Sequence, residues 1–109
     1  MGRERYGDSM KAKRIYISGP ISGRPVADAV EKFDEVADAI KETGNIPVNP
    51  VDMAGWRLDW KTYMQLAQVI LFSGQIDRIY MLAGWDKSHG ACLERYYARL
   101  AGIPVSYQR

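Results

Sequence analysis

Asp77 to Glu94 reads DRIYMLAGWDKSHGACLE, and the reading of this stretch decides the fold. Asp77 to Leu82 is a short β-rich run, a third strand in chain order. Gly84-Trp85-Asp86-Lys87 breaks it as a loop. Ser88 stands where a helix cap belongs, and the pattern stays helical from about Ser88 to Ala101, where Gly102 stops it. Ile103 to Tyr107 then supplies a last strand. Strand, loop, helix and strand in this order make a βαβ unit with parallel strands.

The chain on the N-terminal side repeats the same rhythm. Arg14-Ile15-Tyr16-Ile17-Ser18 is a first strand that empties into the small-residue loop Ser18-Gly19-Pro20-Ile21-Ser22-Gly23-Arg24. A helix starts near Pro25, with Val26, Val30, Phe33, Ala37 and Ile40 in one apolar stripe, and Gly44 ends it. Ile46-Pro47-Val48 is a brief second strand closed by Asn49-Pro50, and residues 49–58 are expected to form a connecting loop. Asp59 caps a second helix from about Trp60 to Phe72, with Gly74 as its stop. That helix is apolar almost all round, which predicts burial on more than one side. The order β-α-β-α-β-α-β predicts an α/β domain of three layers, about four parallel strands with helices on both faces. Ligands of such sheets bind outside the carboxyl ends of the strands, here residues 18–24, 49–58 and 83–90.

Composition sets the outer limits. The chain has 109 residues, 47% hydrophobic and 26% charged, which is material for one domain with one core. Net charge is +2, too small to argue for nucleic-acid binding. Arg3, Arg5, Lys11, Lys13 and Arg14 concentrate at the start, so residues 1–13 read as a basic, flexible arm and 14–109 as the domain. Cys92 is the only cysteine and His89 the only histidine, which excludes an intrachain disulfide, a CxxC redox or zinc site and a multi-histidine metal site. No apolar run has the length of a membrane span, and the start lacks the apolar stretch of a secretory signal, so a cytoplasmic setting is expected.

Glu94 is the sharpest chemical signal. On a wheel of about 100° per residue, Gly90, Ala91, Leu93, Tyr97, Ala98, Leu100 and Ala101 fill one half of the third helix. Cys92, Arg95, Tyr96 and Arg99 fill the other. Glu94 falls inside the apolar half, so its carboxylate faces the core or a cavity and its pKa is expected to rise. Helical side chains lean toward the N-terminus, which directs Glu94 toward the space beside Gly90. The pattern fits a nucleophile or general acid in a pocket. It also fits a buried acid paired with Arg14, Arg24 or Arg78. Ser88 opens the helix where free backbone N–H groups favour an anion, and it is also a plain helix cap. The Ser18–Arg24 loop brings Ser22 and Arg24 to the same edge, without the spacing of a P-loop or of GxGxxG. Tyr16 and Trp85, near strand ends, are placed either to stack on a base or to fill the core.

Taken together, Ile15-Tyr16-Ile17-Ser18-Gly19-Pro20-Ile21-Ser22-Gly23, Asn49-Pro50, Asp77-x-Ile79-Tyr80-Met81-Leu82-x-Gly84-Trp85 and Ser88-x-Gly90-Ala91-x-x-Glu94 resemble the nucleoside 2-deoxyribosyltransferase-like family. The match covers about residues 14–107 and looks closest to a short bacterial and phage branch. The resemblance implies a Rossmann-like (flavodoxin-like) fold. It implies cleavage or transfer of the N-glycosidic bond of a 2′-deoxynucleoside or its 5′-monophosphate, through a covalent glycosyl-Glu94 intermediate. By position, Tyr16 would orient Glu94 or contact the sugar, and Ser88 would bind the 5′ end. The segment Ser18, Gly19, Pro20, Ile21, Ser22, Gly23 and Arg24, with Trp85, Asp86 and Gly90, would line the substrate side. No metal or redox cofactor is implied, the partner is a small-molecule nucleoside or nucleotide, and a homodimer or higher homo-oligomer is expected.

One departure from the family pattern stands out. Active members usually carry an Asp in the helix before the third strand. Here that helix reads Tyr63-Met64-Gln65-Leu66-Ala67-Gln68-Val69-Ile70, with no acid. Asp59, Asp86 or a neighbouring subunit's acid is the available substitute. The alternative expectation is therefore a nucleotide-binding module that keeps the pocket with impaired chemistry.

Overall fold

The computed structural model describes residues 11–109, and of residues 54–56 the backbone only. The basic arm expected over residues 1–13 thus lies, up to residue 10, outside the described residues. The described elements run β1 (Arg14–Ser18), α1 (Val26–Glu42), β2 (Ile46–Val48), α2 (Trp60–Leu71), β3 (Arg78–Met81), α3 (His89–Leu100) and β4 (Val105–Tyr107). The four strands form one all-parallel sheet in the order β2-β1-β3-β4. This is the α/β, Rossmann-like three-layer architecture the alternating pattern predicts, with flavodoxin-like strand order.

Strand alternation sorts the two faces. Ile17 and Leu82 pack under α1 with Phe33, Ala37 and Ile40. Tyr16, Ile79 and Met81 point the other way, against Met64, Ala67 and Leu71 of α2 and Ala91 and Ala98 of α3. Successive strand side chains alternate faces, so one five-residue strand feeds both cores. Each large apolar side chain buried in this way contributes about 1.5–3 kcal/mol.

Three expectations need correction. Residues 49–58 are not a plain loop: Pro50–Trp56 winds into a 3₁₀ helix. Asn49 starts it by accepting from the Val51 N–H with its side chain and from the Asp52 N–H with its carbonyl. Nor is α2 buried all round. Met64, Ala67 and Leu71 are buried, but Val69 is 67% exposed and Phe72 46%. α2 and α3 share one face of the sheet side by side, so each turns its outer side away from the core. Tyr96 and Leu100 of α3 are exposed beside it, and Leu100 therefore leaves the apolar half assigned to it on the wheel.

The topology fixes where a ligand can sit. From β1 the chain crosses to β2 on one side, and from β3 to β4 on the other. The crevice between the carboxyl ends of β1 and β3 is the switch point. It is held tight there. The Leu82 N–H donates to the Ser18 carbonyl at 2.8 Å, and a Cβ on Gly19 would stand 2.8 Å from Leu82 Cβ. Only a glycine lets the chain leave β1 so close to β3. At the other end of the strands the Asp77 carboxylate accepts from the Arg14 N–H at 2.8 Å. No helix among the described residues is long and apolar enough to cross a membrane.

Candidate functional site

The site grows from an i, i+2 pair on β1. Tyr16 and Ser18 are spaced so that both side chains leave the same face of the strand. That face meets the second turn of α3, where Glu94 points inward. Ser18 Oγ donates to Glu94 Oε1 at 2.7 Å, and Tyr16 Oη donates to Glu94 Oε2. All three residues are buried: Tyr16 and Ser18 are 0% exposed and Glu94 3%. The carboxylate is therefore held by two hydroxyls and not by Arg14, Arg24 or Arg78; the Arg78 guanidinium instead donates to Ser106 Oγ at 2.8 Å.

A neutral shell around a buried acid has an electrostatic consequence. Burial pushes the Glu94 carboxyl up to about 7, and the bonds from Ser18 and Tyr16 offset part of that rise. Burial first, and the Glu94 charge second, hold the Tyr16 hydroxyl well above the usual phenol range. The proton between them belongs to Tyr16. Near neutrality Glu94 is poised between its two protonation states, which is the condition for a nucleophile or a proton carrier.

Glu94 forms part of a cleft of about 920 Å³ at the switch point. Gly19, Pro20, Ile21, Ser22 and Arg24 line it from the loop after β1, and Ser88 and Gly90 from the start of α3. Ser88 Oγ caps α3 by accepting from the Ala91 N–H at 3.2 Å, which leaves its own O–H free to donate outward. Tyr16 and Ser18 do not face the cleft; they brace Glu94 from behind. Base stacking by Tyr16 is thereby excluded.

Three other expected residues sit elsewhere. Gly23 turns the loop with a φ of 83° away from the lining. Trp85 packs on Tyr107, ring centroids 5.6 Å apart, under the Arg95 guanidinium at 5.1 Å. Asp86 is exposed in the 3₁₀ turn Trp85–Lys87 that follows Gly84. Neither Trp85 nor Asp86 is among the residues lining the cleft. Nor is Asp59, whose carboxylate is committed to capping α2 through the Thr62 N–H at 2.7 Å, a bond that lowers its pKa. The room expected beside Gly90 is partly taken by α2: a Cβ there would come 3.4 Å from Met64 Sδ and Trp60 Nε1.

Those two atoms belong to the part of the site that sequence reasoning missed. Trp60, Tyr63 and Met64 of α2 form a wall of the cleft, with Arg57 and Leu58 just before them. His89, exposed at the start of α3, stacks on Trp60 with centroids 5.1 Å apart and planes 24° from parallel. Topology held the signal: a helix that follows a parallel strand begins at the carboxyl edge, so the first two turns of α2 had to meet the site.

Charge is distributed one way. Arg24, Arg57 and Lys87 line the cleft, and Glu94 is the only acid among the described lining residues. Arg57 also holds a φ of 59°, a left-handed conformation costly for a residue with a side chain. The start of α3 adds its free N–H groups to this basic rim. One neutral group completes the wall. Tyr63 Oη is shut off from solvent and has no hydrogen-bond partner among the described residues. Burial and then the Glu94 charge raise its pKa.

No curated protein sequence is significantly similar to the chain. One family profile, the domain of unknown function DUF4406, matches residues 13–107, which takes in all four strands, all three helices and every residue of the cleft. The chain belongs to the DUF4406 family.

Proposed function

We propose that the protein cleaves or transfers the N-glycosidic bond of a 2′-deoxynucleoside or its 5′-monophosphate, with Glu94 as nucleophile. The observation that carries this reading is the Glu94 carboxylate, buried at the cleft and gripped by the hydroxyls of Tyr16 and Ser18. In the reaction a Glu94 oxygen bonds to C1′ as the C1′–N bond breaks, and the electron pair leaves with the base. Water or a second base then attacks C1′ and frees the carboxylate. Two displacements at C1′, each inverting it, retain the sugar's configuration. The hydroxyls of Tyr16 and Ser18 fix the orientation of the attacking group, so that little freedom is lost in reaching the transition state. Arg24, Arg57, Lys87 and the start of α3 suit an anionic 5′ end.

Incubation with deoxynucleosides and their monophosphates, with released base assayed, tests the reading. Release by wild type and none by Glu94→Ala is expected. Equal release by both would remove Glu94 from the chemistry.

A second reading has its own observation. No residue of α2 from Trp60 to Leu71 is acidic, so the wall beside Glu94 offers no carboxylic acid to a departing base. A nucleotide-binding module with weak or no turnover is the function that follows. It predicts thermal stabilisation by nucleotides without base release. Association of subunits belongs to either reading: Val69, Phe72, Tyr96 and Leu100 present apolar surface on the outer side of α2 and α3.

A further inference from the structure

Tyr63 Oη is an anomaly in this fold. Buried polar groups nearly always find a partner, and leaving one without costs about 1–3 kcal/mol. Among the described residues it is the buried side-chain atom left unpartnered. Its neighbours are not indifferent to it: the Glu94 charge acts on Tyr63, and Tyr63 acts on Tyr16. The hydroxyls of Tyr16 and Ser18 are spent on the Glu94 carboxylate, while that of Tyr63 is not. The Tyr63 side chain lines the cleft one helical turn after Trp60, but its Oη is closed to solvent, so the phenol must turn toward the cleft to meet a base there.

We propose that the Tyr63 hydroxyl is a catalytic donor, hydrogen-bonding the base as it departs from the sugar that Glu94 attacks. This rests on the glycosidic reading above and adds the group that assists the leaving base. As the C1′–N bond breaks, its electron pair moves onto the heterocycle, and an acceptor atom of the base gains negative charge. The Tyr63 O–H stabilises that charge where it develops. It keeps its own proton, because burial and Glu94 hold the phenol far above the range in which it would ionise. Water protonates the freed base, and a second water attacks C1′ and restores Glu94. The proton shed by the second water neutralises the hydroxide left by the first, so the balance is one water added across one C1′–N bond with no net proton released.

The same geometry explains why a folding cost persists. A hydroxyl satisfied only by ligand weakens the empty protein and strengthens the transition state, the trade between stability and activity met at functional sites.

Tyr63→Phe removes one oxygen and tests the proposal with two readouts. The first is stability: the melting temperature should stay level or rise, since no protein bond is lost. A fall would reveal a structural partner and overturn the proposal. The second is leaving-group dependence, measured with deoxynucleosides and their monophosphates beside 4-nitrophenyl 2-deoxyriboside, whose phenolate leaves without help. Tyr63→Phe should lower kcat/KM about 100-fold on the natural bases and leave the nitrophenyl substrate unchanged. Equal losses on both would show that Tyr63 acts through Glu94 instead of the base, and no loss on the natural bases would show an idle hydroxyl. Either result overturns the proposal while leaving glycosidic cleavage standing. Failure of wild type on every substrate would remove the glycosidic reading and this one with it.

Discussion

The Tyr16 hydroxyl of β1 donates to Oε2 of Glu94 in α3, joining residues 78 positions apart in the chain. Ser18 does the same to Oε1 from 76 positions away. The carboxylate is thus set by the middle of the sheet and not by its own helix. Tyr16→Phe removes one charge-assisted bond worth about 1.5–3 kcal/mol. The remaining shell favours the neutral acid, so the Glu94 pKa should climb from about 7 by roughly one to two units. A carboxyl-carbon NMR titration of both proteins measures it. An unchanged midpoint would mean that Tyr16 does not hold the carboxylate in solution.

The same shift ties stability to pH. Glu94 binds its proton more tightly folded than unfolded, so between its ordinary 4.5 and about 7 the folded state carries more protons. Its contribution is full below the lower value and is lost as pH rises through the upper one. The displacement is worth about 3 kcal/mol. Glu94→Gln removes this dependence. Its melting temperature relative to wild type should improve from pH 5 to about pH 7 and level off above that, and a constant difference from pH 5 to pH 7 would contradict the raised pKa.

If Glu94 is the nucleophile, only its ionised form reacts. The kcat/KM for base release should therefore rise with pH along a limb centred near 7 and level off above it. A rate that falls through the same interval would make Glu94 a proton donor instead.

Arg24, Arg57 and Lys87 give the cleft a cationic rim. Replacing Arg24 or Lys87 with Ala should weaken binding of a deoxynucleoside 5′-monophosphate about tenfold or more, with little effect on the matching nucleoside. Titration calorimetry with each pair of ligands separates the two. Equal losses for nucleoside and monophosphate would place these side chains elsewhere than on the phosphate.

Gly19 leaves no room for a side chain. The added Cβ of Gly19→Ala would meet Leu82 Cβ at 2.8 Å, an atom fixed to the backbone. The strands must part at the switch point, at a cost of about 1–3 kcal/mol. Thermal melting checks the loss, and a variant as stable as wild type would show that the crevice yields easily.

Most of the fold was legible because period and punctuation agree at each element. The Asp59 and Ser88 caps were local signals that found their expected places, and the stripe of α1 packs inward from Val30 to Ile40, while Val26 at its start is 58% exposed. Glu94 was legible as well, since a lone carboxylate among alanines and leucines is visible on a wheel. Its partners were not. Arginines were the natural candidates for a buried acid, whereas the hydroxyls of Tyr16 and Ser18 reached it through β1–β3–α3 packing that no local pattern encodes. Trp60 and Tyr63 were hidden for the opposite reason: in an apolar helix, aromatic residues look like core. Trp85 showed the same ambiguity resolved the other way, as it packs on Tyr107 and Arg95 away from the cleft.

The pairing of β1 with β3 has one more consequence, for the order of assembly. Arg14 and Asp77, which clasp the far end of that pairing, are 63 residues apart. Closing so long a loop costs entropy before any contact repays it, which makes central parallel pairing a slow event in folding. Glu94 meets its hydroxyls only when β1 and α3, 76 to 78 residues apart at these contacts, have come together. Its titration near neutral pH is then a built-in reporter: a partly folded chain, however helical, would titrate Glu94 as an ordinary carboxyl, and the raised value would mark the moment when the sheet is whole.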